Sequence, residues 1–323
     1  MPEALALLSA GAQPIAGGTD LLALMKNQVS APRALVSLHQ IAGFNRIIEN
    51  DAGLCIGAGA LIADLMRWPT LTVAYPLLAQ ACATVAWPEI RAMATVGGNL
   101  CQRPRCWYFR HPLGARCLKR GGDYCYPVHG RADGPFRIFG ESPCVAVHPS
   151  DLAPALVALG AQVTLTAASA ERTLPLTDFY DDAEPARENI LSTGELLSAV
   201  HVPRPAPGTR AVFLKSKRRP SHDFSHVSVA LSAQERDGVC SAACVVLGSV
   251  ALRPWRLSAV EQLLEGQTLD AGLAARAAEL AITGAQAVVS ERGTSNAGKI
   301  PLVAAQVRRA LLSLSGSEQL SAG

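Results

Sequence analysis

Apolar positions recur at helical spacing from Glu3 to Leu8. A short apolar approach then runs into Ile15-Ala16-Gly17-Gly18-Thr19-Asp20-Leu21-Leu22, and helical spacing resumes as far as Lys26. Arg33 to Leu38 and Leu54 to Ala58 read as strands, the second ending at Gly59. Leu61 to Leu65 and Tyr75 to Thr84 again carry apolar residues at helical spacing, with Pro69, Pro76 and Pro88 as breaks. After the turn-like run Thr95-Val96-Gly97-Gly98-Asn99-Leu100 the pattern stops. Residues 101–146 have few aliphatics, many Arg, Gly and Pro, and no sustained period. A stretch of that length inside a domain needs something besides a hydrophobic core to order it, and a bound metal centre would serve.

Periodic structure returns with a helix from Asp151 to Leu159, the alternating strand Gln162 to Thr166, the apolar pair Leu174 and Leu176, and a strand from Glu195 to Val202. Pro203-Arg204-Pro205-Ala206-Pro207-Gly208 has the composition of a linker. Beyond it, strands are predicted at Val227 to Leu231 and Val239 to Leu247. Helices follow at Ala251 to Leu264, Leu273 to Ala287 and Leu302 to Leu312. The pattern predicts an α+β protein in two parts, residues 1–205 and 206–323, with the aperiodic segment 101–146 inserted in the first.

Composition narrows the classes. At 323 residues, 49% hydrophobic and 17% charged, the chain has ample material for buried cores. A formal net charge of +3 from 29 basic and 26 acidic residues is too balanced for a field that attracts nucleic acid. No apolar run approaches the roughly 20 residues that span a bilayer. The start lacks the basic region and apolar core of a secretory signal, which by itself predicts a cytoplasmic chain.

Two glycine pairs carry candidate chemistry. Gly17-Gly18-Thr19-Asp20 and Thr95-Val96-Gly97-Gly98-Asn99 both allow close approach of backbone to an anion, and two such turns can clamp the two phosphates of a dinucleotide. Neither has Rossmann or Walker spacing. A turn with a helix cap is the bland reading of each. Ser150 and Asp151 open a helix, where capping is the common role. Lys215 begins the basic run Lys215-Ser216-Lys217-Arg218-Arg219, which reads as a solvated face unless a flavin lies near.

The aperiodic segment holds Cys106, Cys117, Cys125 and Cys144, separated by ten, seven and eighteen residues. Tight zinc sites include a pair spaced by two to four residues, and none is present. Iron–sulfur clusters accept four thiolates from wider spacings. Arg103, Arg105, Arg116, Lys119 and Arg120 are expected to depress the thiol pKa values and offset the negative charge of a cluster. Cys101 is a fifth thiol that spacing alone does not exclude. An irregular loop with reduced cysteines, or a zinc-stabilised nucleotide-binding module without redox activity, remains open. Cys55, Cys82, Cys240 and Cys244 sit in apolar runs as small buried thiols.

The four motifs at 15–22, 95–100, 148–151 and 213–215, in that order, resemble the FAD-binding subunit of the molybdenum hydroxylases, the xanthine dehydrogenase and carbon monoxide dehydrogenase family. The cysteine segment is similar to that of the family's branch of periplasmic aldehyde oxidoreductases with an FAD and [4Fe-4S] subunit. A related segment with a longer first loop occurs in 4-hydroxybenzoyl-CoA reductases, the second enzyme reading. The resemblance implies a two-part FAD-binding domain of the vanillyl-alcohol-oxidase (PCMH) type, then a smaller α+β C-terminal domain of the CO dehydrogenase flavoprotein type.

It also implies that Ile15, Ala16, Gly17, Gly18, Thr19, Asp20 and Leu21, with Thr95, Gly97, Gly98 and Asn99, hold the FAD diphosphate. Ser150 and Asp151 would contact the cofactor, Leu197 would pack on the flavin and Lys215 would lie near the isoalloxazine. Cys106, Cys117, Cys125 and Cys144 would ligate the [4Fe-4S] cluster. No side chain here is then catalytic. The implied partners are a large molybdopterin-binding subunit, a small subunit with two [2Fe-2S] clusters and an external electron acceptor. Likeness to a periplasmic enzyme implies export on a partner's signal.

Overall fold

The structure is a computed structural model that describes residues 1–219, 221–236 and 238–315. Strands β1 (Gln13–Ile15) and β2 (Leu35–Ser37) pair in parallel. A parallel pair needs a crossover rather than a tight turn, and the helix Leu21–Lys26 supplies it. Gly17-Gly18-Thr19-Asp20 is therefore the turn from strand into crossover, with Gly18 in the left-handed region at φ 70°, where glycine carries no Cβ penalty.

A five-stranded antiparallel sheet follows, built from β3 (Ile47–Asn50), β4 (Gly53–Gly57), β5 (Gln162–Thr166), β6 (Glu171–Pro175) and β7 (Leu196–Pro203) in the order β3-β4-β7-β5-β6. Leu54, Ile56, Val163, Leu165, Val200 and Val202 bury one face of it. The central position of β7 brings Leu197 beside segments more than a hundred residues earlier. Between β4 and β5 the chain makes the helix Pro76–Thr84, the short helix Val96–Leu100, the cysteine segment and the helix Leu152–Ala158. The last is buried on every side, as a helix apolar all round must be, and packs against both Pro76–Thr84 and the second sheet.

That second sheet is antiparallel, β8 (Thr209–Ser216), β9 (Val227–Arg236), β10 (Val239–Gly248) and β11 (Trp255–Arg256), ordered β11-β10-β9-β8. Helices Ser258–Leu264, Ala271–Leu280 and Lys299–Leu314 cover it with Val260, Leu264, Leu273, Ala277, Val303 and Val307. Two expectations shift here. Val250-Ala251-Leu252 stays out of the predicted helix because its carbonyls accept from elsewhere: Val250 O from the Ile138 N–H at 2.9 Å and Ala251 O from the His148 N–H at 2.8 Å. β3, β6 and β8 are not anticipated from the pattern, because their exposed faces carry charge and break apolar alternation. The run Thr95–Leu100, read as a turn, is a one-turn helix started by Thr95, whose Oγ1 accepts from the Gly98 N–H at 3.0 Å.

Residues 101–146 form only short turns of helix, at Trp107–Arg110, Leu118–Arg120 and Tyr126–His129. The expectation that a metal centre would be what orders them is corrected, because the C-terminal domain supplies an edge. Backbone or side chains of Gln286, Glu291, Thr294, Asn296 and Lys299 bond to Ile138, Val128, Ala132 and Phe136 at 2.7–2.9 Å. Ile138 and Phe139 are part of the C-terminal core. Among the described residues no helix is long and apolar enough to cross a membrane.

Candidate functional site

The Gly17 turn and the Thr95 helix meet along one cavity. Ala58, at the end of β4, accepts the Gly97 N–H at 2.8 Å, Ala60 accepts the Val96 N–H at 2.9 Å, and Ala94 O takes the Ile62 N–H at 2.9 Å. These bonds hold the second glycine pair against the sheet. At two positions the packing requires a missing Cβ. One added at Gly17 would lie 1.6 Å from Met93 O, and one at Gly97 would lie 2.7 Å from the Ala58 Cβ and 3.1 Å from Leu197 Cδ2. Gly98 is looser, its nearest atom being Thr95 Oγ1 at 2.9 Å.

The cavity so formed has a volume of about 220 Å³ and is lined by Ile15 through Leu21, Thr95, Gly97, Gly98 and Leu197. A second cavity of about 130 Å³ shares Ala16, Leu38, Phe44 and Thr95 with it. Among the residues named from sequence, those eleven are brought together here. Phe44, Leu38, Leu191, Leu196 and Glu195 also line the first cavity and were missed, since single apolar residues and a lone glutamate in distant segments carry no local signal.

Asn99, Ser150, Asp151 and Lys215 line neither cavity. They form a buried polar string next to the same helix. Ser150 Oγ donates to Asn99 Oδ1 at 2.5 Å and accepts the Ala153 N–H at 2.9 Å, capping the helix Leu152–Ala158. Lys215 Nζ pairs with Asp151 Oδ2 at 2.6 Å and donates to Thr84 O at 2.9 Å. Both members of that pair are at least 95% buried, so the expectation of a solvated basic face fails at Lys215. Burial pushes the Asp151 carboxyl up despite its lysine, and Asp151 Oδ1 is buried without a partner. An orphaned acceptor of this kind is what a ligand N–H or O–H would satisfy.

His148, two residues before Ser150, lies 3.2 Å from Leu100 O through Nε2 and packs on the Tyr180 ring. Burial lowers its pKa to about 4. The unfolded imidazole, with a pKa near 6.5, takes up a proton before the folded one does. Stability is therefore complete above pH 6.5 and falls as pH drops toward 4, by about 3 kcal/mol in all. Replacing His148 with Phe is expected to flatten urea-unfolding stability between pH 6.5 and 4; an unchanged slope would refute the assignment.

Asp20 behaves differently from its neighbours in the turn. Its Oδ1 receives Arg105 Nη1 at 2.8 Å and Arg110 Nη2 at 2.7 Å, and its Oδ2 accepts the Arg103 N–H at 2.9 Å. The carboxylate is thus committed to the cysteine segment. Arg103 in turn forks onto Glu188 at 3.1 Å through two nitrogens and donates to Lys119 O at 2.8 Å.

Cys106 packs in each of three small apolar clusters, which contain Cys125, Cys117 and Cys144 respectively. Cys101 stands apart, lining the larger cavity. Among the described residues, however, no group of three or more His, Cys, Asp or Glu side chains is arranged to hold a metal ion. The expected ligand set is therefore not assembled as a metal site, and the zinc-stabilised reading gains nothing.

The expected depression of the thiol pKa values is also overturned. Burial pushes Cys106 up to about 12 and Cys144 up to about 11, and raises Cys117 and Cys125. Arg120 and Arg103 near Cys117 and Lys119 near Cys144 pull the other way and are outweighed.

Comparison with known proteins agrees with this architecture. The aldehyde oxidoreductase FAD-binding subunit of Escherichia coli strain K12 is 38% identical over 262 residues, covering 79% of this chain and 80% of that one. The medium chain of carbon monoxide dehydrogenase from Afipia carboxidovorans is 27% identical, over 83% of this chain and 78% of that one. Among solved structures, carbon monoxide dehydrogenase from Oligotropha carboxidovorans superposes with a TM-score of 0.76 at 24% identity, covering 98% of this chain and 94% of that one. Quinoline 2-oxidoreductase from Pseudomonas putida 86 has a TM-score of 0.75 at 24% identity over the same shares. The family described as the FAD binding domain in molybdopterin dehydrogenase matches residues 1–205, and the CO dehydrogenase flavoprotein C-terminal domain matches residues 211–314. With both matches in sequence order on this fold, the chain belongs to the FAD-binding subunits of the molybdenum hydroxylase family of oxidoreductases.

Proposed function

We propose that this chain is the FAD-carrying electron-transfer subunit of a molybdenum-dependent aldehyde oxidoreductase, organised as an FAD domain of residues 1–205 with the insert 101–146 and a C-terminal domain of residues 206–323. The observation that carries the cofactor reading is the cavity lined by both glycine turns, one of them packed so closely on the Met93 backbone that Gly17 admits no Cβ. The aldehyde reading is supported by the 38% identity to a subunit of an aldehyde oxidoreductase. Its partners in a heterotrimer are a large molybdopterin subunit, which oxidises the aldehyde, and a small subunit with two [2Fe-2S] clusters.

FAD, when bound, accepts electrons from those centres and passes them to an external acceptor. The residues of this chain position it. Ile15 to Thr19 and Leu21, with Thr95, Gly97 and Gly98, cradle the diphosphate by backbone, and Leu197 closes the cavity wall. Asn99 and Ser150 hold the Thr95 helix to the helix beneath it. Lys215 and Asp151 offer a cation and an orphaned acceptor to the flavin end. No side chain is assigned a proton transfer on substrate.

A [4Fe-4S] cluster on Cys106, Cys117, Cys125 and Cys144 belongs to the same proposal. The ligands of such a cluster surround an iron–sulfur core and stand farther apart than those of one ion, which suits four cysteines that share apolar clusters through Cys106. The half-buried Arg137 guanidinium lies near Cys144 and Cys125, with Glu141 also in its field, and donates to the carbonyls of Gly140 and Ser142. That leaves a cation for the negative charge of a thiolate-ligated centre to balance. Anaerobic purification of the full chain, with flavin quantitation, iron counting and EPR, is expected to show FAD and about four irons per chain. Flavin without iron removes the cluster; absence of flavin removes the whole reading.

A further inference from the structure

We propose that Arg105 and Arg110 of the cysteine segment are positioning residues for the FAD diphosphate: they neutralise the Asp20 carboxylate on the wall of the cofactor cavity and leave that corner net positive. This rests on the cofactor reading above and is independent of whether iron is bound.

A diphosphate cannot tolerate a free carboxylate on its cavity wall, because like charges at close range in a partly buried site repel strongly. Two carboxylates nevertheless line the cavity, Asp20 and Glu195. Glu195 is matched one to one by a fork from Arg172 at 3.0 and 2.9 Å. The lining cation Arg103 is paired with Glu188 at 3.1 Å, a carboxylate it shares with the buried Lys119 at 3.4 Å. Asp20 alone is matched by two guanidinium groups, Arg105 at 2.8 Å and Arg110 at 2.7 Å.

The three side chains, 13–24% exposed, therefore carry one net positive charge, held directly behind the stretch of cavity wall that Asp20 lines. Both cations are pre-aimed. Arg110 donates Nε to Pro104 O at 2.8 Å and Nη2 to Arg103 O at 2.9 Å, while Arg105 lies over the Phe224 ring at 4.5 Å and donates to Gln102 Oε1 at 3.0 Å. Burial lowers Arg105 to about 10, so it remains charged at neutral pH. Asp20 accordingly serves the cofactor through the insert and not as its ligand.

The arrangement makes FAD affinity follow the charge sum of these three positions. Titrating FAD into the flavin-free full chain by fluorescence quenching is expected to show Arg110→Met weakened about tenfold or more. Arg110→Lys should stay near wild type. Asp20→Asn/Arg110→Met, which restores the net positive charge, should recover most of the loss. A purely structural contact predicts the opposite, a double variant at least as weak as the single. Recovery absent from the double variant, or full affinity in Arg110→Met, overturns the proposal. Should Arg110→Met fail to fold, Asp20→Asn decides, since its loss of FAD would make Asp20 a direct ligand. A wild-type chain that takes no FAD would overturn the cofactor reading itself.

Discussion

Gly17→Val is expected to empty the chain of FAD and to lower its stability together. The reason is a single distance: the new Cβ would sit 1.6 Å from Met93 O, where only a backbone shift gives relief. Moving Met93 and Ala94 drags on the Ile62 bond to Ala94 O and so on the Thr95 helix that forms the opposite wall. Overpacking of this kind costs about 3 kcal/mol. Gly98→Val is the companion measurement. Its first atom meets only the Thr95 hydroxyl, so it should block the cavity at small cost to folding. Flavin-to-protein ratios and urea midpoints on both variants separate the effects. Equal stability of Gly17→Val and wild type would show that the turn is not packed as described.

Lys215→Met is expected to be the second large effect, through a buried charge left alone. With Lys215 gone, Asp151 keeps a negative charge at 5% exposure, with no counter-ion at 2.6 Å. Breaking such a pair costs about 3–5 kcal/mol.

The loss should depend on pH in a definite direction. Burial already raises the folded-state pKa of Asp151 above its usual 3.8, and removing the lysine raises it further. Between 3.8 and that raised value the folded chain binds more protons than the unfolded one, so stability falls as pH rises through this window. Urea unfolding of the variant at pH 5 should therefore recover part of what is lost at pH 7. A deficit that is the same at both values would show that Asp151 is not the group left uncompensated. Asp151→Asn/Lys215→Met, lacking the charge, should lose less than the single variant.

How much of this was legible beforehand depends on the range of the interaction. The helix Pro2–Ser9, the strand β4, the buried helix Leu152–Ala158 and the order of sheet then helices after residue 208 follow from the spacing and length of apolar runs along the chain. Gly17 and Gly97 could be named because glycine pairs at strand ends signal close backbone approach. Which of them was tightest could not, since Met93 O and Leu197 Cδ2 come from other segments. Lys215 lay in a run that reads as a solvated face. Only the packing of β8 against the helix Pro76–Thr84 buries it, on Asp151 and the Thr84 carbonyl.

The cysteine segment shows the same division more sharply. Cys106, Cys117, Cys125 and Cys144 are visible as a set, and so are the arginines among them. Their protonation was misjudged because charge neighbours can be counted along a chain and burial cannot. The ion pairs of Asp20 were likewise invisible, since Arg105 and Arg110 arrive from 85 and 90 positions away.

By itself the amino-acid sequence determined the local elements, the two glycine turns and the two-part order of the chain, because these rest on spacing and on residue-specific backbone freedom. Only the tertiary structure decided which charges are paired, which thiols are buried and which glycine touches backbone, because burial and Coulomb energy depend on distances between segments remote in the chain.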